Sequence, residues 1–291
     1  MRRLEHPYVE LTNGRWVRGN LHTHTDRSDG RRPPQAVIDD YAGRGYDFLM
    51  LSDHDLYTNP AEFDARGMVM LNGNEVTANG PHLLHVNTTR VVEPNRQRQR
   101  VINDVLAKGD GFIIVNHPNW QAAFDHCTIG QMREWDGYVG LEIYNGTIGR
   151  LDGSPYSTNK WDMLLSSGRR LWGFANDDSH LPREDVGLGW NTAFVRERTA
   201  PAILEALRIG RFYASTGVTI TDIHVDGTRV RIETADAERI VALQQVGKRF
   251  AQVDDKAIEV DVPDSATYLR FECWGRGERF AWTQPFFVVS A

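Results

Sequence analysis

Apolar and polar positions along this chain alternate in blocks whose period switches repeatedly. Short apolar or β-branched runs predict strands at 16–22 (WVRGNLH), 47–52 (DFLMLS), 67–75 (GMVMLNGNE), 111–117 (GFIIVNH), 140–146 (GLEIYNG) and 171–177 (LWGFAND). Between them, stretches with helical spacing occur at 34–45, 96–109, 160–168 and 200–210, each ending in a glycine that can take the left-handed C-cap conformation. Strands alternating with helices predict βα units gathered into a parallel sheet or barrel. After GRFYASTG (210–217) the texture changes. The segments 220–237, 239–247, 257–275 and 279–289 alternate apolar and polar residues between turn signals without a good helix. The expected organisation is therefore an α/β domain over 1–220 and a small all-β appendage over 221–291, with no repeats and no low-complexity linker.

The 291 residues, 41% of them hydrophobic, are enough for a large core. A net charge of −6 and the absence of a basic tract argue against binding nucleic acid polymers or membrane surfaces, which rely on a positive field. No apolar run has signal-peptide or membrane-spanning length, so a cytoplasmic location is expected. Only Cys127 and Cys273 are present, far apart, so a metal here would be held by nitrogen and oxygen.

The strand candidates end in ligand-type side chains. His22 and His24, at i and i+2, point to one side of a strand. Asp29 follows in the next turn. Later strand ends bring Asp53, His54 and Asp55, then Glu75, His82 or His85, His117, and finally Asp177, Asp178 and His180. In a parallel βα barrel such ends converge on one face, and a cluster of histidines and carboxylates there is metal-site chemistry. His6 and His224 read as surface groups. His126 reads as either a loop residue or a substrate contact.

The motifs HTH (22–24), SDHD (52–55), the glutamate of GNEVT, NHP (116–118) and DDSH (177–180) resemble the PHP (polymerase and histidinol phosphatase) superfamily of metal-dependent hydrolases. With GRFYASTG and a C-terminal β segment, the chain looks most like the carbaryl-hydrolase-like branch. The resemblance implies a distorted (β/α)7 barrel holding two to three divalent transition metals, zinc, manganese or iron. One ion would take His22, His24, Glu75 and Asp178. A second would share Glu75 and take His117 with a histidine of HLLH, for which His82 is favoured because the branch places it at the start of that strand. A third would take Asp29, His54 and His180. Many members have histidine where Asp29 stands, and the aspartate makes this site richer in oxygen, which favours manganese or iron.

The chemistry implied is hydrolysis of a small phosphate mono- or diester by a metal-bound hydroxide. Glu75 sits at the reacting centre. The leaving-group proton would come from a metal-bound water or from a residue such as Asp55. A carbamate, carboxylic ester or amide hydrolase could use the same ligands, and a catalytically retired binding module is the alternative outside enzymes. The partner expected is a small, anionic substrate. Asn116, Asn119, Trp120, Asn145 and Asn176 lie beside the motifs as substrate contacts or loop braces, with Asn119, Trp120 and Asn145 the chosen contacts. Arg27, Arg31 and Arg32 flank the first motif; Arg27 is the anion-binding candidate.

Overall fold

The computed structural model describes residues 2–9, 11–109 and 111–290. Among them are nineteen strands and five α-helices, a mixed α/β fold with more sheet and fewer helices than seven regular βα units would bring.

In chain order, β1 (Arg2–Glu5) and β2 (Arg15–Asn20) precede α1 (Pro34–Gly43), β3 (Phe48–Met50), β4 (Val69–Leu71), β5 (Gly73–Val76) and β6 (Leu83–Val86). Next come α2 (Arg98–Leu106), β7 (Phe112–Val115), α3 (Ile129–Glu134), β8 (Gly140–Asn145), α4 (Thr158–Ser166), β9 (Trp172–Asn176), β10 (Trp190–Val195), α5 (Ala200–Ile209) and β11 (Phe212–Ser215). The helices stop as the glycines indicate: Gly210 caps α5 at φ 84°, and Gly109 and Gly168 follow α2 and α4 at φ 68° and 88°. The sequence pattern did not announce α3 or β10. The first is six residues long and opens on a capping box, Thr128 with Gln131.

Two arcs of sheet enclose the central core. In one, β10 lies antiparallel to β2, and β2, β3 and β4 run parallel. In the other, β7, β8 and β9 run parallel, but β6 is antiparallel to both β5 and β7. The expected all-parallel arrangement is thus broken at β6 and at β10. The arcs adjoin where β4 gives way to β5 at Asn72, and where Asn191 of β10 exchanges side-chain hydrogen bonds with the backbone of Ala175 in β9. Val17, Phe48, Met50 and Leu71 of the first arc meet Leu84, Val86, Ile114 and Phe174 of the second in one fully buried cluster. Gly19 makes this packing possible, because a Cβ there would sit 2.2 Å from the ring of Phe48.

The C-terminal strands are β12 (Ile220–Asp226), β13 (Arg229–Thr234), β14 (Arg239–Gln244), β15 (Lys248–Val253), β16 (Ala257–Asp261), β17 (Tyr268–Trp274), β18 (Phe280–Thr283) and β19 (Phe286–Ser290). Three of them, β12, β13 and β16, form a separate small sheet. The others extend the first arc, since β18 pairs with β11. Buried polar contacts tie this segment to the preceding residues. Arg270 donates two hydrogen bonds to Asp162 of α4 (2.8 and 2.6 Å), and Gln284 bonds both the N–H and the carbonyl of Gly173. No described helix is long and apolar enough to cross a membrane.

Candidate metal centre

The chain leaving β2 stays extended and pairs with the chain leaving β9: Asp178 N donates to His22 O and His24 N to Ser179 O, both at 2.9 Å. This parallel pairing places His22 and His24 on one side, facing Asp178. Both Nε2 atoms lie 3.1 Å from Asp178 Oδ1 and 3.3 and 3.4 Å from Glu75 Oε2. Glu75 is contributed by β5 and is completely buried. Its other oxygen is 3.1 Å from His82 Nδ1 and 3.5 Å from His117 Nε2. On the solvent side, Asp29 Oδ1 lies 3.3 Å from both His54 Nε2 and His180 Nε2. All nine residues expected as ligands therefore meet in one region. They fall into overlapping groups, among them His24 with Asp29, His54 and His180; His22 with His24 and Asp178; His22 with Glu75 and His117; and His54 with Glu75 and His82. In each, one ligand atom per residue lies within 4.8 Å of the others.

The reversed direction of β6 explains the histidine of HLLH. Because β6 runs against its neighbours, its start, not its end, lies beside the outgoing ends of β5 and β7. His82 therefore reaches the cluster, whereas His85, three residues along and paired with Asn74 and Ile113, joins none of the groups.

The residues fit metal ions on a direct observation. His22 Nε2, His24 Nε2, Glu75 Oε2 and Asp178 Oδ1 are buried without a hydrogen-bond partner. Each Nε2 atom lies 3.1–3.4 Å from both carboxylate oxygens, so these four atoms line one small buried space. Unsatisfied buried polar atoms are costly, and a cation satisfies all of them together. Without one, burial pushes the His24 ring down to about 4. Burial opposes the charge on Glu75 too, but the facing His22 and His82 outweigh it and hold the carboxyl well below the usual range.

A buried carboxylate that the sequence reading missed organises this cluster. Glu142 of β8 lies 2.8 Å from His22 Nδ1, and it accepts from the backbone N–H of His117 (2.8 Å), Asn145 Nδ2 (2.8 Å) and Asn176 Nδ2 (2.9 Å). Its signal was a lone charge between Leu141 and Ile143 in an apolar strand. Asn116 similarly donates to Glu75 Oε1 at 2.6 Å while accepting from Leu84 N–H. The other motif aspartates brace loops. Asp53 accepts from Thr25 and Ser28, and Asp177 from the N–H groups of Gly187, Leu188 and Gly189.

A cavity of about 310 Å³ opens over the cluster. Its walls include Trp120, Ile148, Leu151 and Leu181 as apolar groups and Arg31 and Arg150 as cations. Several sequence expectations change here. Arg27 is turned away and pairs with Glu62 (2.9 Å), and Arg32 pairs with Asp40, so Arg31 is the arginine of that trio on the cavity wall. Arg150, not singled out in the sequence, is fixed by two hydrogen bonds to Asp185, which also accepts the N–H groups of His180 and Leu181. Asn145 faces Glu142 and Asp178, while Asn119 donates to Tyr156 O and Asn159, so neither lines the cavity; Trp120 does. Asp55 is occupied with the N–H groups of Thr77 and Ala78 and is likewise absent from the wall. His126 lies in the loop before α3, accepts the N–H of His82 through Nε2 and is not on the cavity wall, and His6 packs on Phe286 instead of lying free on the surface.

No family model matches the chain. A stretch of 72 residues is 42% identical to a 3',5'-nucleoside bisphosphate phosphatase of Chromobacterium violaceum, covering 23% of this chain and 25% of that protein. The chain thus spans about a quarter of the length of this curated relative. Among solved structures, a two-domain protein of Bacteroides vulgatus containing a predicted PHP-like metal-dependent phosphoesterase superposes with a TM-score of 0.55 at 16% identity, over 98% of this chain and 90% of that one. At this identity the likeness is one of fold, and it extends through the C-terminal strands. The chain thus shares the fold of a solved PHP-like protein, and its own strands bring the motif residues together.

Proposed function

We propose that the protein is a metal-dependent phosphoesterase acting on a small phosphate mono- or diester. The carrying observation is the set of adjoining, buried, unpartnered ligand atoms of His22, His24, Glu75 and Asp178 beneath a cavity edged by Arg31 and Arg150. Two to three divalent ions, zinc, manganese or iron, would be held by His22, His24, Glu75 and Asp178, by Glu75, His82 and His117, and by Asp29, His54 and His180. The last set includes Asp29, whose side chain is 56% exposed, so this ion is the most weakly held. When bound, such ions supply Lewis acidity to the phosphoryl group and acidity to the attacking water.

The chain's own residues supply the rest. Glu142 holds the His22 ring with its proton on Nδ1, so that with a metal bound Nε2 would be the nitrogen left to present a lone pair. Arg31 and Arg150 hold an anionic substituent; a guanidinium keeps its proton, so they stabilise charge and do not act as acids. Trp120, Ile148, Leu151 and Leu181 accept the organic part of the substrate. The relative named as a nucleoside bisphosphate phosphatase suggests a phosphomonoester with a second anionic group, which two arginines suit. The same apolar wall favours a second reading, hydrolysis of an aryl carbamate or carboxylic ester, the chemistry expected of the carbaryl-hydrolase-like branch. Turnover of matched aryl phosphates and aryl carbamates by the metal-loaded protein separates the two.

A further inference from the structure

Lys160 of α4 is 7% exposed, and its ammonium donates to three backbone carbonyls: Pro118 O at 2.8 Å, Phe124 O at 2.7 Å and Cys127 O at 2.7 Å. An ammonium has three protons, so this one is fully used. All three acceptors belong to the loop between β7 and α3, which carries His117, the wall residue Trp120, and His126 with its bond to His82 N. The loop does not rest in a relaxed backbone conformation of its own. His117, Gln121 and Phe124 all have positive φ, at 25°, 78° and 56°, a region that side chains with a Cβ rarely enter. Phe124 is 50% exposed, so apolar burial does little to anchor its tip. Charge-assisted hydrogen bonds from a buried lysine supply the missing restraint.

The helix bearing Lys160 is itself pinned. Two residues along, Asp162 accepts from Arg270 and from Tyr268 Oη (2.8 Å) of β17. The adjoining cavity wall is tied to the same C-terminal strands. Gln121 N bonds Asp152 O and Ser154 N bonds Asn119 O, while the Tyr156 ring packs edge-on against Phe280, 5.8 Å between centroids.

We propose that Lys160 is a positioning residue that fixes the 118–127 loop carrying the wall residue Trp120, and that the C-terminal strands support the site through α4 by way of the Asp162–Arg270 pair. The inference deepens the phosphoesterase reading, since it assigns Lys160 to substrate placement in that site and not to metal binding.

The test uses the full-length, metal-loaded protein with Lys160→Met, Lys160→Gln and Lys160→Arg. In Lys160→Met, amide hydrogen exchange at 119–127 should quicken about tenfold or more, with β8 and β9 unchanged. Metal content should stay at the wild-type level, and KM for an aryl phosphate should rise about tenfold with kcat within about threefold. Lys160→Arg, which keeps the charge and donors, should lie between wild type and Lys160→Met on both readouts. Arg270→Met should quicken exchange at 119–127 in the same direction. If Lys160→Met does not fold, Lys160→Gln, with two donors, carries the same comparison. Unchanged exchange at 119–127 in a folded Lys160 variant would overturn the proposal, as would loss of metal or an equal fall in kcat and kcat/KM. A wild-type protein inactive on every phosphoester would sink the functional reading alone, because the exchange measurement still judges Lys160.

Discussion

His22 Nδ1 and Glu142 Oε1 lie 2.8 Å apart in a site where neither side chain is exposed to solvent, and this contact fixes which nitrogen of His22 faces Glu75 and Asp178. A carboxylate accepts only, so Nδ1 keeps its proton, and with a metal bound Nε2 would be the nitrogen left to present a lone pair. Glu142→Gln replaces one acceptor with a donor among four N–H partners. The expected result is metal affinity lower by about 10–100-fold, measured by chelator competition, with the fold retained.

Asp178 faces both His22 and His24 at 3.1 Å, so removing it dismantles the most buried ligand group. Asp178→Ala or His22→Ala should lower activity by on the order of a thousandfold or more, the several kcal/mol that metal ions contribute to such transition states. Elemental analysis should show metal loss in parallel. His224→Ala, at an exposed position of β12, should match wild type.

Much of this centre was legible in the sequence because the motif residues stand at strand ends, where local spacing settles which way a side chain points. His22 and His24 are an example: their i, i+2 relation survives folding directly. The choice of His82 over His85 came from resemblance; its physical cause, a reversed β6, lies in sheet topology that no local pattern records. Glu142 and Arg150 were missed for related reasons. Glu142 has the spacing of a core position, and Arg150 ends a short 3-10 turn whose approach to Asp185, 35 positions further along, is set by tertiary folding. Arg27, Arg31 and Arg32 all flank the first motif, and only the tertiary pairings of Arg27 with Glu62 and Arg32 with Asp40 distinguish them from Arg31 on the cavity wall.

The arginines give a prediction that separates two residues flanking the same motif. Arg31→Met and Arg150→Met should each raise KM for an anionic phosphomonoester about tenfold, the loss of one charge-assisted hydrogen bond. Arg27→Met should leave KM unchanged. Steady-state kinetics on the three variants decides, and a KM effect confined to Arg27→Met would reverse the assignment of the cavity wall.

Metal should also stabilise the fold, since the ligand atoms are buried and lack other partners. With free ion at about 100 times its Kd, linkage adds about 2.7 kcal/mol. At about 2–4 °C per kcal/mol for a domain of this order of size, chelation should lower Tm by roughly 5–10 °C. Scanning calorimetry with and without chelator, followed by addition of Mn²⁺ or Zn²⁺, checks both the drop and its recovery.

The most direct test of the central claim is the rate on an aryl phosphate relative to an aryl carbamate or carboxylic ester with the same leaving group, under matched Mn²⁺, before and after chelation. The account predicts that the phosphate is turned over at least about tenfold faster, a transition-state preference of about 1.4 kcal/mol, and that chelation abolishes the rate until metal is restored. Phosphate turnover indifferent to chelation, or a carbamate or ester faster by tenfold, would contradict it.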